Sequence, residues 1–243
     1  MNTKFYVALL LAVFIGGCAI PQSGPPVNPN FVFTPPSSEK STKNSMSIAI
    51  LMPGSKGSFF TTYGDDADAQ STINAFLRAY QVDLEKVIIA KGFTTSGAYA
   101  TYDEMTFAQK ERSSLIMKPE IAFNIAVQRG MFGEKSKATV SGTVVIEFLE
   151  PMSKEKVWIK HFDLPATTQD VDVDILTDSR GRLAKGPDGS LRHGLTTSSR
   201  NRLLNDFYAT AFKRIWEQLD SREIGALKKD ADKLKSRTNY RAN

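Results

Sequence analysis

The chain has 243 residues, of which 41% are hydrophobic and 23% are charged. This balance is that of an ordinary folded protein and excludes a wholly disordered chain. The formal net charge is only +5, from 31 basic and 26 acidic residues, so we expect no nucleic acid partner.

Residues 1–17 have the layout of an export signal that ends in a lipid-attachment motif. The apolar stretch Phe5–Ile15 is too short to span a bilayer. Ile15-Gly16-Gly17-Cys18 resembles a bacterial lipobox, in which the cysteine is acylated and becomes the first residue of the mature protein. Cys18 is the only cysteine of the chain, so no disulfide partner competes for it. The alternative is an ordinary signal peptide that is cut near Ala19, which removes Cys18.

Residues 18–45 comprise the predicted lipid-bearing cysteine and a proline-rich tether. Six prolines fall in this stretch, and they favour extended chain over helix or sheet. Phe31, Val32 and Phe33 stand out as apolar, and we expect them to dock on the edge of the folded domain as a short strand. A single globular domain is then expected over residues 46–243.

The first part of this domain predicts a β-α-β unit. Met46–Pro53 is an almost wholly apolar run, which is typical of a strand buried on both faces. Apolar residues recur at three- and four-residue spacing over Ala69–Ile88, which predicts a long helix. Its start is predicted at Asp65-Asp66, whose carboxylates can cap the first turn, and its end at Gly92. Phe93–Thr101 follows as the second strand.

The middle of the chain predicts an antiparallel meander. A short helix at Glu104–Arg112 precedes strands at Ser114–Gln128, Thr139–Glu150 and Lys156–Leu164, which are joined by short turns. Together the two parts predict a mixed α+β fold with one mixed sheet, packed by the long helix and by a long C-terminal helix.

The last third of the chain predicts a long loop and then this C-terminal helix. Pro165–Ser199 is polar and rich in glycine, and a connection of this length is usually functional or mobile. An apolar stripe from Leu204 to Leu219 predicts the helix. The stripe thins after Ser221, so we expect the second part of the helix to be more exposed and to leave the body of the domain.

No arrangement of residues predicts catalysis or a metal site. His161 and His193 are the only histidines and lie in unlike contexts, which argues against zinc. The aspartates within residues 170–178 alternate with apolar residues, which favours an edge strand over a calcium loop, since the loop's glycine and closing glutamate are missing. We therefore expect no enzyme, and no cofactor other than the covalent lipid on Cys18.

Three segments resemble a known protein family when they are taken in order. They are Phe107-Ala108-Gln109-Lys110, Phe148-Leu149-Glu150-Pro151-Met152-Ser153 and Lys229-Asp230-Ala231-Asp232-Lys233-Leu234-Lys235. Their order and spacing resemble the neuraminyllactose-binding haemagglutinin family of adhesin lipoproteins, over about residues 46–237. The resemblance implies an outer-membrane lipoprotein, linked to the cell surface and the flagellar sheath, that acts as an adhesin for sialylated glycans.

The resemblance also implies a position for a glycan site, in a short basic stretch ahead of the second of these segments. In this chain the stretch contains Arg129, Lys135 and Lys137, with Glu134 between them. A sugar carboxylate is held best by an arginine fork, so these basic residues are candidates; the alternative is that they are solvated surface charges. Trp158 is a further candidate if it faces outward on its strand, whereas the alternative places it in the core.

The sequence favours two functions. The first is a surface lipoprotein of adhesin type that binds a host glycan or receptor without catalysis. The second is a structural envelope or flagellar-sheath lipoprotein that binds another envelope protein, for which the charged helix Ile224–Arg237 would serve as the partner surface. Ala19, in place of an aspartate after the cysteine, resembles the signal of lipoproteins sorted to the outer membrane.

Overall fold

The computed structural model describes residues 27–36, 45–63, 66–130, 134–175, 182–183 and 193–241. Cys18 and the predicted signal peptide lie outside the described residues. The strands are β1 (Ser47–Leu51), β2 (Gly54–Lys56), β3 (Thr94–Tyr99), β4 (Leu115–Gln128), β5 (Ser136–Leu149), β6 (Lys156–Val171), β7 (Val173–Ile175) and β8 (His193–Leu195). The helices are α1 (Ser58–Tyr63), α2 (Ala67–Ala90), α3 (Phe107–Arg112), α4 (Thr197–Gln218) and α5 (Ser221–Arg241). No helix in these parts of the chain combines the length and apolar character that a bilayer crossing requires.

Among the described residues, six strands form one mixed sheet in the order β3-β1-β4-β5-β6, with β2 also paired to β4. β1 runs parallel to β3 and β4, whereas β5 is antiparallel to both β4 and β6. After Pro53, β2 continues the line of β1 along β4. β7 and β8 form a separate pair. The predicted α+β fold, a β-α-β unit extended by a meander, is confirmed.

Helix α2, which connects β1 and β3, begins and ends as the sequence predicts. The Oδ1 atom of Asp66 accepts a hydrogen bond of 3.1 Å from the N–H of Ala69 and caps the first turn. Gly92 has a φ of 92° beyond the last turn. The N–H groups of Gly92 and Phe93 donate back to carbonyls of that turn, as in a Schellman motif. Asp65, the other predicted cap, lies outside the described residues.

One face of the sheet carries the main core, and aromatic rings dominate it. Phe123 of β4 stacks on Phe207 of α4, with 4.1 Å between the ring centroids. Tyr80 of α2 contacts Phe212 of α4 at 4.8 Å. Full burial of side chains of this size contributes about 1.5–3 kcal/mol each, so this packing fixes both long helices on the same face. We call the opposite side of the sheet the outer face.

Strand β6 is longer than the sequence predicts. The predicted loop Pro165–Ser199 would end the strand at Leu164, but β6 continues to Val171. Pro165 is tolerated because β6 is an edge strand, and because a bulge at this point places Pro165 and the next residue opposite a single residue of β5.

The remainder of the predicted loop is also partly ordered. Of the alternating aspartates, Asp170 lies at the end of β6 and Asp174 on β7, which agrees with their interpretation as strand residues. Asp172 lies between the two strands, and Asp178 lies outside the described residues. Residues 193–195 form β8, and α4 begins at Thr197. Residues 176–181 and 184–192 of the predicted loop lie outside the described residues.

The C-terminal helix is divided, and its second part packs on the domain. The Oδ1 atom of Asp220 accepts a hydrogen bond of 2.7 Å from the N–H of Arg222 at the start of α5. Ile224, Leu227 and Ala231 of α5 are buried in the main core. The prediction that this helix leaves the body is therefore wrong for its first three turns, because these residues form an apolar stripe at helical spacing.

Part of the predicted tether belongs to the folded domain. Residues 27–36, which we call the strap, lie against α2 and α4. Phe31 meets Phe76 at 5.3 Å between ring centroids, and Phe33 stacks on Phe212 at 5.2 Å. The predicted docking of this segment is therefore observed, but no strand forms, because the strap's backbone bonds to helix side chains such as Asp83.

Candidate ligand-binding cleft

A cleft of about 630 Å³ opens on the outer face of the sheet. It lies where the parallel strands β1 and β3 end, beside the paired strands β4 and β5. The segment of residues 100–103 forms one wall, and the turn of residues 150–155 lies at its end. The carboxyl ends of parallel strands are a common position for ligand sites in open sheets.

A small apolar cluster lies beneath the cleft, and two of its residues, Leu51 and Leu149, form the floor. Ala49 and Leu51 of β1, Ile116 of β4 and Leu149 of β5 are buried there together with Met105. They alternate with residues that face the main core, so the sheet is apolar on both faces at this point. This is why the sequence of β1 is a continuous apolar run.

The carboxylate of Glu147 lies between two ammonium groups of the cleft. Its Oε2 atom is 3.1 Å from Nζ of Lys118, and its Oε1 atom is 2.5 Å from Nζ of Lys156. Partial burial acts to raise the pKa of Glu147, but the hydrogen bonds and charges of Lys156 and Lys118 outweigh it, and the pKa is lowered. Glu147 is therefore a fixed negative charge with a cation on each side.

Two further ion pairs border the cleft. Nζ of Lys56 lies 2.9 Å from Oε2 of Glu120, and Nζ of Lys154 lies 3.8 Å from Oδ1 of Asp103. The second pair is long, and its side chains are 54% and 87% exposed. Pairs of this kind are weak, so the ammonium group of Lys154 can exchange Asp103 for a ligand at little cost.

Tyr102 links the wall of residues 100–103 to the turn of residues 150–155. Its hydroxyl donates a hydrogen bond of 2.7 Å to the carbonyl of Pro151. The ammonium groups of Lys110 and Lys154 lie 3.8 Å and 4.3 Å from the centroid of its ring, within range of cation–π attraction. Burial, and after it the nearby carboxylate of Glu150, raises the pKa of Tyr102, so the hydroxyl remains a neutral donor.

Two of the three segments that carry the family resemblance meet at Tyr102. The first, residues 107–110, begins α3, where Thr106 and Gln109 form a capping box. This cap fixes the helix start and so places Lys110 against the ring of Tyr102. The second segment supplies the carbonyl of Pro151 on the other side. Neither contact is visible in the sequence, since Lys110 and Pro151 are 41 positions apart.

The second segment is a turn that is built around a buried carboxylate. Glu150 is 1% exposed, and its Oε2 atom accepts hydrogen bonds from the N–H groups of Met152 (2.9 Å) and Ser153 (2.5 Å). The turn leaves Lys154 in the left-handed region, with a φ of 64°. This conformation is uncommon for a residue other than glycine, and such residues are concentrated at functional sites.

The basic residues predicted to bind glycan lie far from this cleft. Arg129, Lys135 and Lys137 are exposed at the tip of the hairpin between β4 and β5, where Lys137 pairs with Gln128. Phe148 is eleven residues further along β5, which corresponds to about 36 Å. The hairpin tip and the cleft are thus at opposite ends of the sheet.

Trp158, the fourth predicted residue, lies on the helix-covered face and away from the other three. It pairs with Phe148 across the strands, and the two rings are 5.5 Å apart. Its Nε1 atom donates a hydrogen bond of 3.1 Å to Oε1 of Glu223 in α5. The structure therefore does not bring the four predicted residues together into one site.

The sequence indicates on which face of the sheet the cleft residues lie, but not which of them are neighbours. Lys118, Glu120 and Glu147 occupy polar positions on strands that otherwise alternate with apolar residues, which places them on the outer face. That they meet each other depends on the register of β4 and β5, in which Lys118 pairs with Glu147. The alternation within a strand does not indicate its register with a neighbouring strand.

The groups in the cleft suit a ligand rich in hydroxyl groups. Ammonium groups are donors and carboxylates are acceptors, and a sugar hydroxyl can satisfy either. Three ammonium groups and three carboxylates line the cleft, so their charges balance. The ammonium groups belong to Lys118, Lys154 and Lys156, and the carboxylates belong to Asp103, Glu120 and Glu147.

No protein-family model and no curated protein sequence matches the chain. Among solved structures, a protein described as a neuraminyllactose-binding hemagglutinin homolog from Helicobacter pylori is similar, with a TM-score of 0.58 at 16% identity. The match covers 82% of this chain and 98% of that one. At this identity the likeness shows a shared fold.

Two further solved structures are similar at a lower level. A PelC dodecamer subunit from Paraburkholderia phytofirmans has a TM-score of 0.27 at 12% identity, over 73% of this chain and 89% of that one. A lipoprotein from Neisseria meningitidis has a TM-score of 0.25 at 11% identity, over 71% and 99%. These scores are too low to carry an argument.

Proposed function

We propose that the protein is an envelope lipoprotein of adhesin type, anchored in the outer membrane by a lipid on Cys18, which binds a glycan or receptor without catalysis. The observation that carries the proposal is the cleft, in which balanced charges surround an apolar floor on the fold of a hemagglutinin homolog. Two of the segments that carry the family resemblance hold Tyr102, which lines the cleft: Lys110 lies over its ring, and the carbonyl of Pro151 accepts its hydrogen bond.

A sialylated glycan is the ligand class that we propose for the cleft. The name of the Helicobacter pylori protein refers to neuraminyllactose, whose terminal sugar carries a carboxylate. In this proposal Lys154 receives this carboxylate, which is supported by its long and exposed ion pair with Asp103. Glu147 and Glu120 would then accept hydrogen bonds from sugar hydroxyls, as carboxylates do.

A binding assay on two variants distinguishes this cleft from the hairpin tip predicted by sequence. Lys154→Asn removes the ammonium group, and asparagine tolerates the left-handed backbone at this position. Lys135→Gln removes a charge from the hairpin tip. On an array of sialylated and desialylated glycans, we expect Lys154→Asn to lose sialyl-dependent binding and Lys135→Gln to retain it. The opposite result would assign the ligand to the hairpin tip.

The lipid anchor and the surface location are tested separately. Mass spectrometry of the mature amino terminus should find an acylated Cys18, and an antibody against the domain should label intact cells. An unmodified terminus further along the chain would contradict the anchor. Incubation with sialyl-glycans should leave them intact, and released sugar would contradict a purely binding role.

A second candidate function is a structural envelope or flagellar-sheath lipoprotein that binds another envelope protein. It is favoured by the outward side of α5, where Lys228, Lys229, Asp232 and Lys233 border an open depression. Reversal of the three lysines to glutamate should abolish a cross-linked partner and leave the fold intact, because these residues are exposed. An unchanged cross-linking pattern would contradict this function.

A further inference from the structure

The strap fixes the point at which the anchored chain enters the domain. The N–H of Val27 donates to Oγ of Ser198 (3.2 Å), and the carbonyl of Val27 accepts from Nδ2 of Asn201 (2.9 Å). Both partners belong to the first turns of α4. The strap then follows α4, as the N–H of Asn30 donates to Oδ1 of Asn205 (2.8 Å).

The start of α4 lies at the hairpin end of the sheet. Oγ of Ser199 accepts a hydrogen bond of 2.9 Å from the N–H of Asp172, directly after β6. Val171, the last residue of β6, pairs with Ser136, the first residue of β5. The chain from Cys18 therefore reaches the domain beside the hairpin tip, and the turn of residues 150–155 lies at the far end of β5.

Chain length then limits how the domain can face the bilayer. Nine Cα–Cα steps separate Cys18 from Val27, and they span at most about 32 Å in any conformation. The 14 residues of β5 span about 46 Å. The anchored chain is thus too short to let the domain turn over and stand upright on its far end. If the strap were free, residues 19–45 would reach far enough to allow every orientation.

We infer that the strap orients the domain on the membrane, with the hairpin tip toward the bilayer and the cleft end directed away from it. The inference rests on the proposed lipid at Cys18. It deepens the proposed function, because a ligand on another surface would reach Lys154 before it reached Arg129, Lys135 or Lys137.

The test measures energy transfer from a fluorophore on the protein to acceptors on lipid headgroups. The full chain, acylated in a bacterial host and placed in phosphatidylcholine vesicles, is labelled at Lys135→Cys or at Glu155→Cys; acylation blocks the thiol of Cys18. Both positions are exposed and flank a strand end. We expect transfer from position 135 to be several-fold more efficient than from position 155.

An insertion provides the matched control for this orientation. Twelve glycine and serine residues between Pro26 and Val27 add about 40 Å of reach without altering the strap's contacts. The difference in energy-transfer efficiency between positions 135 and 155 should then shrink. Equal transfer at both positions without the insertion, or stronger transfer at position 155, would overturn the inference. Protein that does not bind the vesicles at all would instead overturn the lipoprotein proposal on which it rests.

Discussion

The backbone N–H of Phe33 donates a hydrogen bond of 2.6 Å to the carboxylate of Asp83, which lies fifty residues further along the chain. The same Oδ2 atom accepts a hydrogen bond of 2.6 Å from the hydroxyl of Tyr208, and the Oδ1 atom lies 2.6 Å from Nζ of Lys86. Asp83 is 2% exposed, and a buried charge is tolerated only with such partners. One carboxylate thus joins the strap, α2 and α4.

We predict that Asp83→Ala destabilises the protein by about 1–3 kcal/mol or more, because it leaves buried donors on Phe33 and Tyr208 without an acceptor. Urea unfolding followed by circular dichroism measures the effect. Asp232→Ala is the control, since the side chain of Asp232 is 63% exposed and its pair with Lys228 is long. Equal stability of the two variants would contradict the role of Asp83.

Neighbouring residues of the strap should differ sharply in their contribution to the free energy of unfolding. Phe33 is half-buried and stacks on Phe212, so Phe33→Ala should cost about 2 kcal/mol, part of the loss for a fully buried phenylalanine. Val32 is 65% exposed, so Val32→Ala should change the free energy of unfolding by less than about 0.5 kcal/mol. Limited proteolysis should cut the strap faster in Phe33→Ala than in the natural protein, whereas Val32→Ala should be cut at the natural rate. Equal protection in both variants would mean that the strap is not docked in solution.

The sequence predicted those parts of the fold that depend on local patterns. The apolar period placed α2, the cap at Asp66 and the glycine at Gly92 set its ends, and alternation found β4 and β5 within a few residues. Pro165 was misleading, because an edge strand tolerates a proline at a bulge and continues past it.

The cleft and the strap could not be predicted in the same way, because both depend on contacts between distant parts of the chain. The partners of the strap in α4 lie more than 170 residues away, as for Val27 and Asn201. The pairing of Lys118 with Glu147 depends on the register of two strands. The alternation of apolar and polar residues within a strand determines the face on which a residue lies. The register between two strands determines which residue lies opposite it.

Gly142 is predicted to be intolerant of a side chain for reasons of space alone. A Cβ atom there would lie 2.5 Å from the ring of Phe207 and 2.6 Å from the carbonyl of Ala122. Gly142→Ala should therefore destabilise the protein by about 1–3 kcal/mol through overpacking. At Gly54 the nearest atom, in Glu120, would be 3.6 Å away, so Gly54→Ala should be well tolerated. Thermal unfolding compares the two variants, and a more stable Gly142→Ala would refute the packing of Phe207 on the sheet.

The ion pairs of Glu147 predict how the stability of the cleft depends on pH. The pKa of this carboxyl is lower in the folded protein than its ordinary value of 4.5. Its contribution to stability is therefore fully present above pH 4.5 and is lost as the pH falls through the folded pKa. Glu147→Gln lacks this contribution at every pH. The difference in unfolding free energy between the natural protein and this variant should be largest near pH 7, although no more than about 1 kcal/mol because solvent reaches the pairs.

Urea unfolding at a series of pH values from 7 down to 3 measures this difference. Glu155→Gln is the matched control, since Glu155 is exposed in the neighbouring turn. We expect the difference for Glu147→Gln to shrink below pH 4.5 and that for Glu155→Gln to stay near zero throughout. A difference that is constant, or that grows toward low pH, would show that Lys118 and Lys156 do not hold the carboxylate in its charged form.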